Sequence, residues 1–224
     1  MLVSIEGIDG SGKTTVWEAL RGSLADAARE TTFTREPTDS WYGDAVRRSV
    51  ADDDADPLAE LFLYTADHAA HLANTVRPAL AAGDLVVTDR YVDSRCAYQG
   101  VALDGVVSRP LEYVSGVHRP FTRMPDLTLL VEVDPAVGAA RSGGKDKFER
   151  EAFLREVAEK YDFLASREPD RFVRIDGEQS PEAVVEEAEA AVREALASAD
   201  AEGGGPAGDE GTDGEGGHGD GAGA

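Results

Sequence analysis

At 224 residues with 42% apolar side chains, the chain is long enough to bury a full core in one domain. Its 44 acidic residues against 22 basic ones give a net charge of −22, which argues against a nucleic-acid backbone as its main partner. Only four of the basic residues are lysines (Lys13, Lys145, Lys147, Lys160), a balance that resembles cytosolic proteins of salt-loving organisms, where salt screens the self-repulsion. Cys96 is alone, so no internal disulfide can form. No apolar run approaches the ~18 residues of a membrane helix, and residues 1–15 lack the basic start of a signal peptide. The chain therefore reads as soluble and cytoplasmic, with no membrane partner.

In chain order, Leu2–Glu6 reads as a short buried strand and Lys13 to about Ala28 as a helix, with Trp17, Leu20 and Leu24 at helical spacing. Thr31–Thr34 is a second strand. Pro57–Val76 is a long helix with Leu58, Phe62, Thr65, Ala69, Leu72 and Val76 as its expected apolar stripe. Strands follow at Leu85–Thr88 and Leu127–Val133, then a helix over Phe148–Ala165 and a strand over Phe172–Ile175. Ser180 caps a last helix that opens with Pro181 and runs to about Ala197. Strand and helix in alternation predict an α/β fold, a parallel sheet covered on both faces. Asp200–Ala224 holds seven acidic residues, eleven glycines and no Lys or Arg, and such a segment cannot offset its chain entropy. The expected organisation is a domain over residues 1–198 and a disordered acidic, Gly-rich tail over 199–224.

Between the first strand and the first helix stands Gly7-Ile8-Asp9-Gly10-Ser11-Gly12-Lys13-Thr14, a full match to the phosphate-binding loop pattern in its required strand–loop–helix setting. Glycines let backbone N–H groups approach phosphate oxygens, the helix adds its positive end, Lys13 reaches the β- and γ-phosphates, and Thr14 offers a hydroxyl to Mg²⁺. GTPases, ATPases and small-molecule kinases share this loop. A guanine-reading Asn-Lys-x-Asp string is missing, the nearest being Gly143-Gly-Lys-Asp146, which sets the GTPases aside.

Three more strings follow strand ends: Thr34-Arg35-Glu36-Pro37, then Asp89-Arg90-Tyr91-Val92-Asp93-Ser94-Arg95-Cys96-Ala97-Tyr98-Gln99-Gly100, then the basic stretch from Arg141 to Glu149. Ligands bind at that edge of an open parallel sheet, and an acidic chain that gathers cations there is suited to neutralising polyphosphate. Together with Pro125–Pro135 and Asp146–Glu149, these strings resemble thymidylate kinases from about residue 2 to 197. The resemblance implies a P-loop three-layer fold with a five-stranded parallel sheet and a basic lid. It implies transfer of phosphate from ATP to dTMP with Mg²⁺, in a homodimer. The rival readings are a kinase for another nucleotide or nucleoside, and a nucleotide-binding regulator without turnover.

The resemblance also implies roles. Gly7, Ile8, Asp9, Gly10, Ser11, Gly12, Lys13 and Thr14 hold ATP, and Thr14 with Asp89 holds the metal, Asp89 through water. Asp9 sits between donor and acceptor. Arg90, with Arg35, grips the acceptor phosphate. Tyr98 crowds out a ribose 2′-hydroxyl, and Gln99 lines the base pocket. Arg141, Lys145 and Lys147 are the cations of the lid, while Gly10 stands near the place where some relatives carry a cation in the loop. Two departures fall on the base contact. Tyr64 and His68 occupy the positions of a stacking Phe and a base-reading Arg, and Arg95 stands where a small polar residue is common.

Overall fold

A computed structural model describes residues 1–24, 30–143, 148 and 150–203. In chain order its elements are β1 (Leu2–Glu6), α1 (Lys13–Ser23), β2 (Thr31–Arg35), α2 (Trp41–Val50), α3 (Pro57–His71), a π-helical turn (Leu72–Val76), α4 (Arg77–Ala82), β3 (Leu85–Asp89), α5 (Val92–Ala102), α6 (Pro110–His118), β4 (Leu127–Glu132), α7 (Pro135–Ser142), α8 (Glu151–Arg167), β5 (Phe172–Asp176) and α9 (Pro181–Gly203).

The five strands form one all-parallel sheet in the order β2-β3-β1-β4-β5. The crossover direction reverses beside β1, which opens a crevice at the carboxyl ends of the central strands. Strand alternation divides the core in two. Val3 and Ile5 face α1 and α9, packing on Val16, Trp17, Leu20, Val184, Ala188 and Val192. On the other face Leu2 and Val86 lie under α3, α5 and α6, while Leu130 packs against Ala97, Leu154 and Tyr161.

Several helices start with the same device, an oxygen-bearing cap followed by proline at the first position, where the missing N–H costs nothing. Asp56 caps α3 through Ala59 N at 2.8 Å, Asp134 caps α7 through Ala136 N at 2.8 Å, and Ser180 caps α9 through Ala183 N at 3.3 Å. The last helix passes the expected end near Ala197, because Ala197, Ala199 and Ala201 continue it to the Gly203–Gly205 run. The rest of the acidic tail, 204–224, lies outside the described residues.

The long helix departs from expectation in two ways. At its end it widens into the π-turn, because Pro78 lacks an N–H and its ring clashes with the carbonyl four residues back. Its buried face also matches the expected stripe only in part: Leu72 and Val76 are fully buried and Leu58 packs against their cluster, but the rest departs. Phe62 is 49% exposed, and the face turned inward carries Glu60, Leu61, Tyr64, Asp67, His68 and His71. Hydrophobic periodicity misplaces a helix whose inner face is polar and hydrogen-bonded. Helix α5 leaves no periodic signal at all, being buried at ten of its eleven positions.

Candidate active site

Strand β1 ends at Glu6 in the centre of the sheet, and the loop from Gly7 delivers the chain into α1 at Lys13. Gly10 adopts φ +77° and presses on α7 so closely that a Cβ would lie 2.2 Å from Gly138 O, leaving no room for a cationic side chain there. Lys13 folds back over the loop and donates to Ile8 O at 2.7 Å. Burial, with the nearby Arg90 charge, lowers its ammonium to about 8 against the opposing pull of Asp9, Asp89 and Glu6. Asp89 closes β3 beside β1, in register with Ile5. One of its oxygens accepts from Thr14 Oγ1 at 3.3 Å, and the other, Oδ1, is buried without a partner. A hydroxyl beside an unsatisfied carboxylate oxygen suits a hard divalent cation carried in with phosphates. These groups line a hollow of about 320 Å³.

Immediately after β3, Arg90 sits in the left-handed region at φ +66°, uncommon for a residue with a Cβ. Its guanidinium is fixed by Asp9 Oδ1 at 2.5 Å, Ser94 Oγ at 3.1 Å, and Gly7 O and Tyr98 OH at 3.3 Å each. Tyr98 in turn donates to Asp9 Oδ2 at 2.9 Å. Burial alone would raise the Asp9 carboxyl, but Arg90 and then Lys13 hold it below the ordinary range. Beyond this group lies a second cavity of about 120 Å³, whose walls include Tyr64, Arg95, Tyr98, Gln99 and Phe148. Asp9 and Arg90 line both hollows, so one ion pair forms their common wall.

Glu6, under this wall, accepts from Tyr91 N at 2.9 Å, Ser94 Oγ at 2.5 Å and Tyr161 OH at 3.1 Å. Complete burial, reinforced by Asp93, raises its carboxyl to about 7.

A phosphate loop joined through an ion pair to a second, polar cavity matches what the comparisons with known proteins find. The Thymidylate kinase family pattern matches residues 5–188. The chain belongs to the thymidylate kinase family. A "Probable thymidylate kinase" of Halobacterium salinarum is 61% identical over 196 residues, covering 88% of this chain and 97% of the relative. That of Natronomonas pharaonis is 62% identical over 188 residues, 84% and 95% of the two chains. The same name attaches to a Halorubrum lacusprofundi protein 57% identical over 199 residues, 88% and 99% of the two. These salt-loving sources agree with the acidic, lysine-poor composition.

Within this family frame, the structure brings together Asp9, Lys13, Thr14, Asp89 and Arg90 at the phosphate-loop hollow, and Tyr64, Tyr98 and Gln99 at the second cavity. Two residues expected at the acceptor lie away from the second cavity. Arg35 is exposed, with its guanidinium 4.8 Å from the Trp17 ring centroid, and it lines a separate hollow with Thr34 and His71. Strand alternation is the reason: Phe33 and Arg35 share the Trp17 side of β2, while Glu36 turns inward. His68 is fully buried, its Nδ1 at 2.8 Å from Glu36 Oε1 and its Nε2 at 3.0 Å from Thr122 Oγ1. Both ring nitrogens are engaged, and the ring does not line the cavity. Arg141 lies at the end of α7 and donates to Gly177 O at 3.3 Å. Gly177 approaches the phosphate loop so closely that a Cβ would sit 2.9 Å from Ser11 O, which sets Arg141 at the loop's rim. Lys145 and Lys147 lie outside the described residues.

Other residues were not foreseen. Asp67 accepts from Thr38 N at 2.8 Å and Thr38 Oγ1 at 2.5 Å, tying the loop after β2 to α3. Glu36 receives His68 Nδ1 and His71 Nδ1 on one oxygen, at 2.8 and 2.7 Å. Burial would raise Glu36, but these two rings hold it well below the usual carboxylate range. Phe148 closes the cavity edge-on against Tyr98, with centroids 6.0 Å apart. Ser94 and Arg95 had a legible signal: they stand four residues before Tyr98 and Gln99, and that spacing sets both pairs on one helical face.

Proposed function

We propose that this chain phosphorylates dTMP to dTDP with ATP as donor and Mg²⁺ as cofactor. The observation that carries the proposal is the Asp9–Arg90 wall common to the phosphate-loop hollow and the second cavity. A phosphoryl group passing between two nucleotides crosses at such a place. Lys13 and the loop N–H groups hold the β- and γ-phosphates of ATP. Thr14 and the unpartnered Asp89 oxygen are the residues suited to Mg²⁺, which, bound, would neutralise charge on the donor phosphates.

Arg90 turns part of its fork from Asp9 to the dTMP phosphate, for which a planar guanidinium supplies parallel donors. A dTMP phosphate oxygen then attacks the γ-phosphorus, the bond to the β–γ bridging oxygen breaks, and ADP and dTDP leave. The nucleophile is already an anion, so no base is needed, and the protein's task is positioning and charge neutralisation. Tyr98, backed by Phe148, closes over the sugar and disfavours a ribose. Arg141, with Lys145 and Lys147, forms the lid that keeps water from the γ-phosphate.

We further read residues 1–198 as the kinase domain, with the acidic Gly-rich end outside it, acting in the cytoplasm. Among the described residues no helix is long and apolar enough to cross a membrane. Homodimerisation is part of this reading, as the resemblance to thymidylate kinases implies. The test is ATP-coupled turnover with dTMP, dUMP, dCMP, UMP and thymidine, with and without Mg²⁺. Turnover of dTMP is expected to be fastest, and no turnover of dTMP would overturn the proposal.

A further inference from the structure

The second cavity carries buried polar groups that the protein itself leaves unsatisfied. Arg95 is 3% exposed, and its guanidinium lies 4.1 Å from the Tyr64 ring centroid. Its Nε has no hydrogen-bond partner, and Glu36 Oε2 stands off at 3.8 Å. One turn along α5, Gln99 is 1% exposed, and neither Oε1 nor Nε2 has a partner. Both residues line the cavity. Buried donors and acceptors are costly to leave unmade, so side chains kept in this state imply a ligand that completes them.

The chemistry of that ligand follows from the donors. A guanidinium only donates, whereas a carboxamide both donates and accepts. Side by side they complement an edge that presents two carbonyl oxygens around one ring N–H. A 4-oxopyrimidine has that edge. A 4-aminopyrimidine instead turns an NH₂ toward the guanidinium, where donor faces donor, and its bare ring nitrogen offers no N–H to the amide oxygen. The Glu36 carboxylate beside Arg95, held by His68 and His71, disfavours a second anion and leaves a neutral carbonyl as the fitting acceptor.

We propose that Arg95, together with Gln99, reads the carbonyl edge of the pyrimidine and sets the preference for thymine and uracil over cytosine. Helix α5 thereby carries the base reader, while His68 on α3 acts at one remove by holding Glu36. The inference rests on the dTMP reading of this site. Thymine and uracil share this carbonyl edge, so dUMP should remain a substrate.

The experiment compares wild type, Arg95→Met and Arg95→Lys with dTMP, dUMP and dCMP at saturating ATP in molar KCl. Arg95→Met keeps the buried stem and removes the fork. It should raise the KM for dTMP and dUMP about 10- to 100-fold, the weight of hydrogen bonds to a charged group. The kcat and the KM for ATP should stay nearly unchanged, and the preference over dCMP should collapse. Arg95→Lys, with one ammonium in place of a fork, should fall between. An unchanged KM for dTMP with intact rejection of dCMP would overturn the proposal. Equal losses on all three nucleotides would also overturn it, as would tighter dTMP binding, which would make Arg95 a plug. Failure of wild type to phosphorylate dTMP would defeat the functional proposal instead. Calorimetric titration of dTMP and dCMP into wild type and Arg95→Met would then still decide the role of Arg95.

Discussion

Arg90 Nη2 lies 2.5 Å from Asp9 Oδ1, and this contact, with the Arg90 bond to Gly7 O at 3.3 Å, joins the loop after β1 to the loop after β3 across the crevice. The pair holds each side chain at the boundary of the two hollows before any phosphate arrives. Arg90→Ala removes the proposed acceptor grip and leaves Asp9 without its guanidinium partner. It should lower kcat for dTMP about 10²–10³-fold, the usual weight of an oriented transition-state donor. Arg90→Lys should recover little, because a point charge cannot replace the fork. Coupled ADP release checks this, and full activity in Arg90→Ala would remove the residue from the mechanism.

Lys13 predicts a pH dependence on the donor side. In the free protein its ammonium loses a proton near pH 8, because burial disfavours the charge. A bound triphosphate favours that charge, so above pH 8 binding must take up a proton. The KM for ATP should be flat below about pH 8 and rise above it, by at most about tenfold per pH unit. KM profiles of the wild type on both sides of pH 8 test this. A flat profile throughout would show that Lys13 remains charged in the free site.

Glu6 predicts a stability effect with the opposite sign to that of most carboxylates. Its folded value is about 7 against an ordinary 4.5, so between those values the folded state binds the extra proton. The contribution of Glu6 is therefore full below pH 4.5, declines as pH rises to 7, and is flat above. The loss is on the order of 3 kcal/mol at roughly 1.4 kcal/mol per pH unit. Asp9 and Glu36, whose carboxyls are lowered, contribute in the other direction, so the readout is a difference between two proteins. Denaturant unfolding of Glu6→Gln and wild type should diverge across this window in favour of the variant. Parallel curves would mean that Glu6 is ionised in the fold.

Salt should stabilise the fold. A net charge of −22 on 224 residues repels itself in dilute buffer. Melting temperatures should climb from low to molar KCl, and a flat series would contradict the composition-based reading. Ending the chain after Gly203 removes five acids and leaves −17, so the climb should persist in that shortened form. Its turnover should match full length, because the Gly-rich end offers no large apolar side chain to a core.

The phosphate loop, the strands and the capped start of the last helix were legible in the sequence because each rests on neighbours along the chain. Gly7–Thr14 needs only its own glycines and the flanking strand and helix. Ser180-Pro181 needs only a side-chain oxygen within reach of the next turn. The family motifs also placed Asp9, Asp89, Arg90, Tyr98 and Gln99 at the carboxyl edge of the sheet, since strand ends set that edge.

Only the tertiary structure decided which way the remaining side chains face. Arg35 and Glu36 are adjacent in sequence, yet one stacks on Trp17 and the other is buried under α3. His68 was matched to a base reader, but Glu36 and Thr122, 32 and 54 residues away, claim both its nitrogens. Arg95 shares a helical face with Gln99 by its spacing, but its unpartnered Nε becomes visible only once Tyr64 and Glu36 are packed beside it. A charge-bearing side chain goes wherever distant groups satisfy it, because an unpaired buried polar group costs more than any local preference supplies.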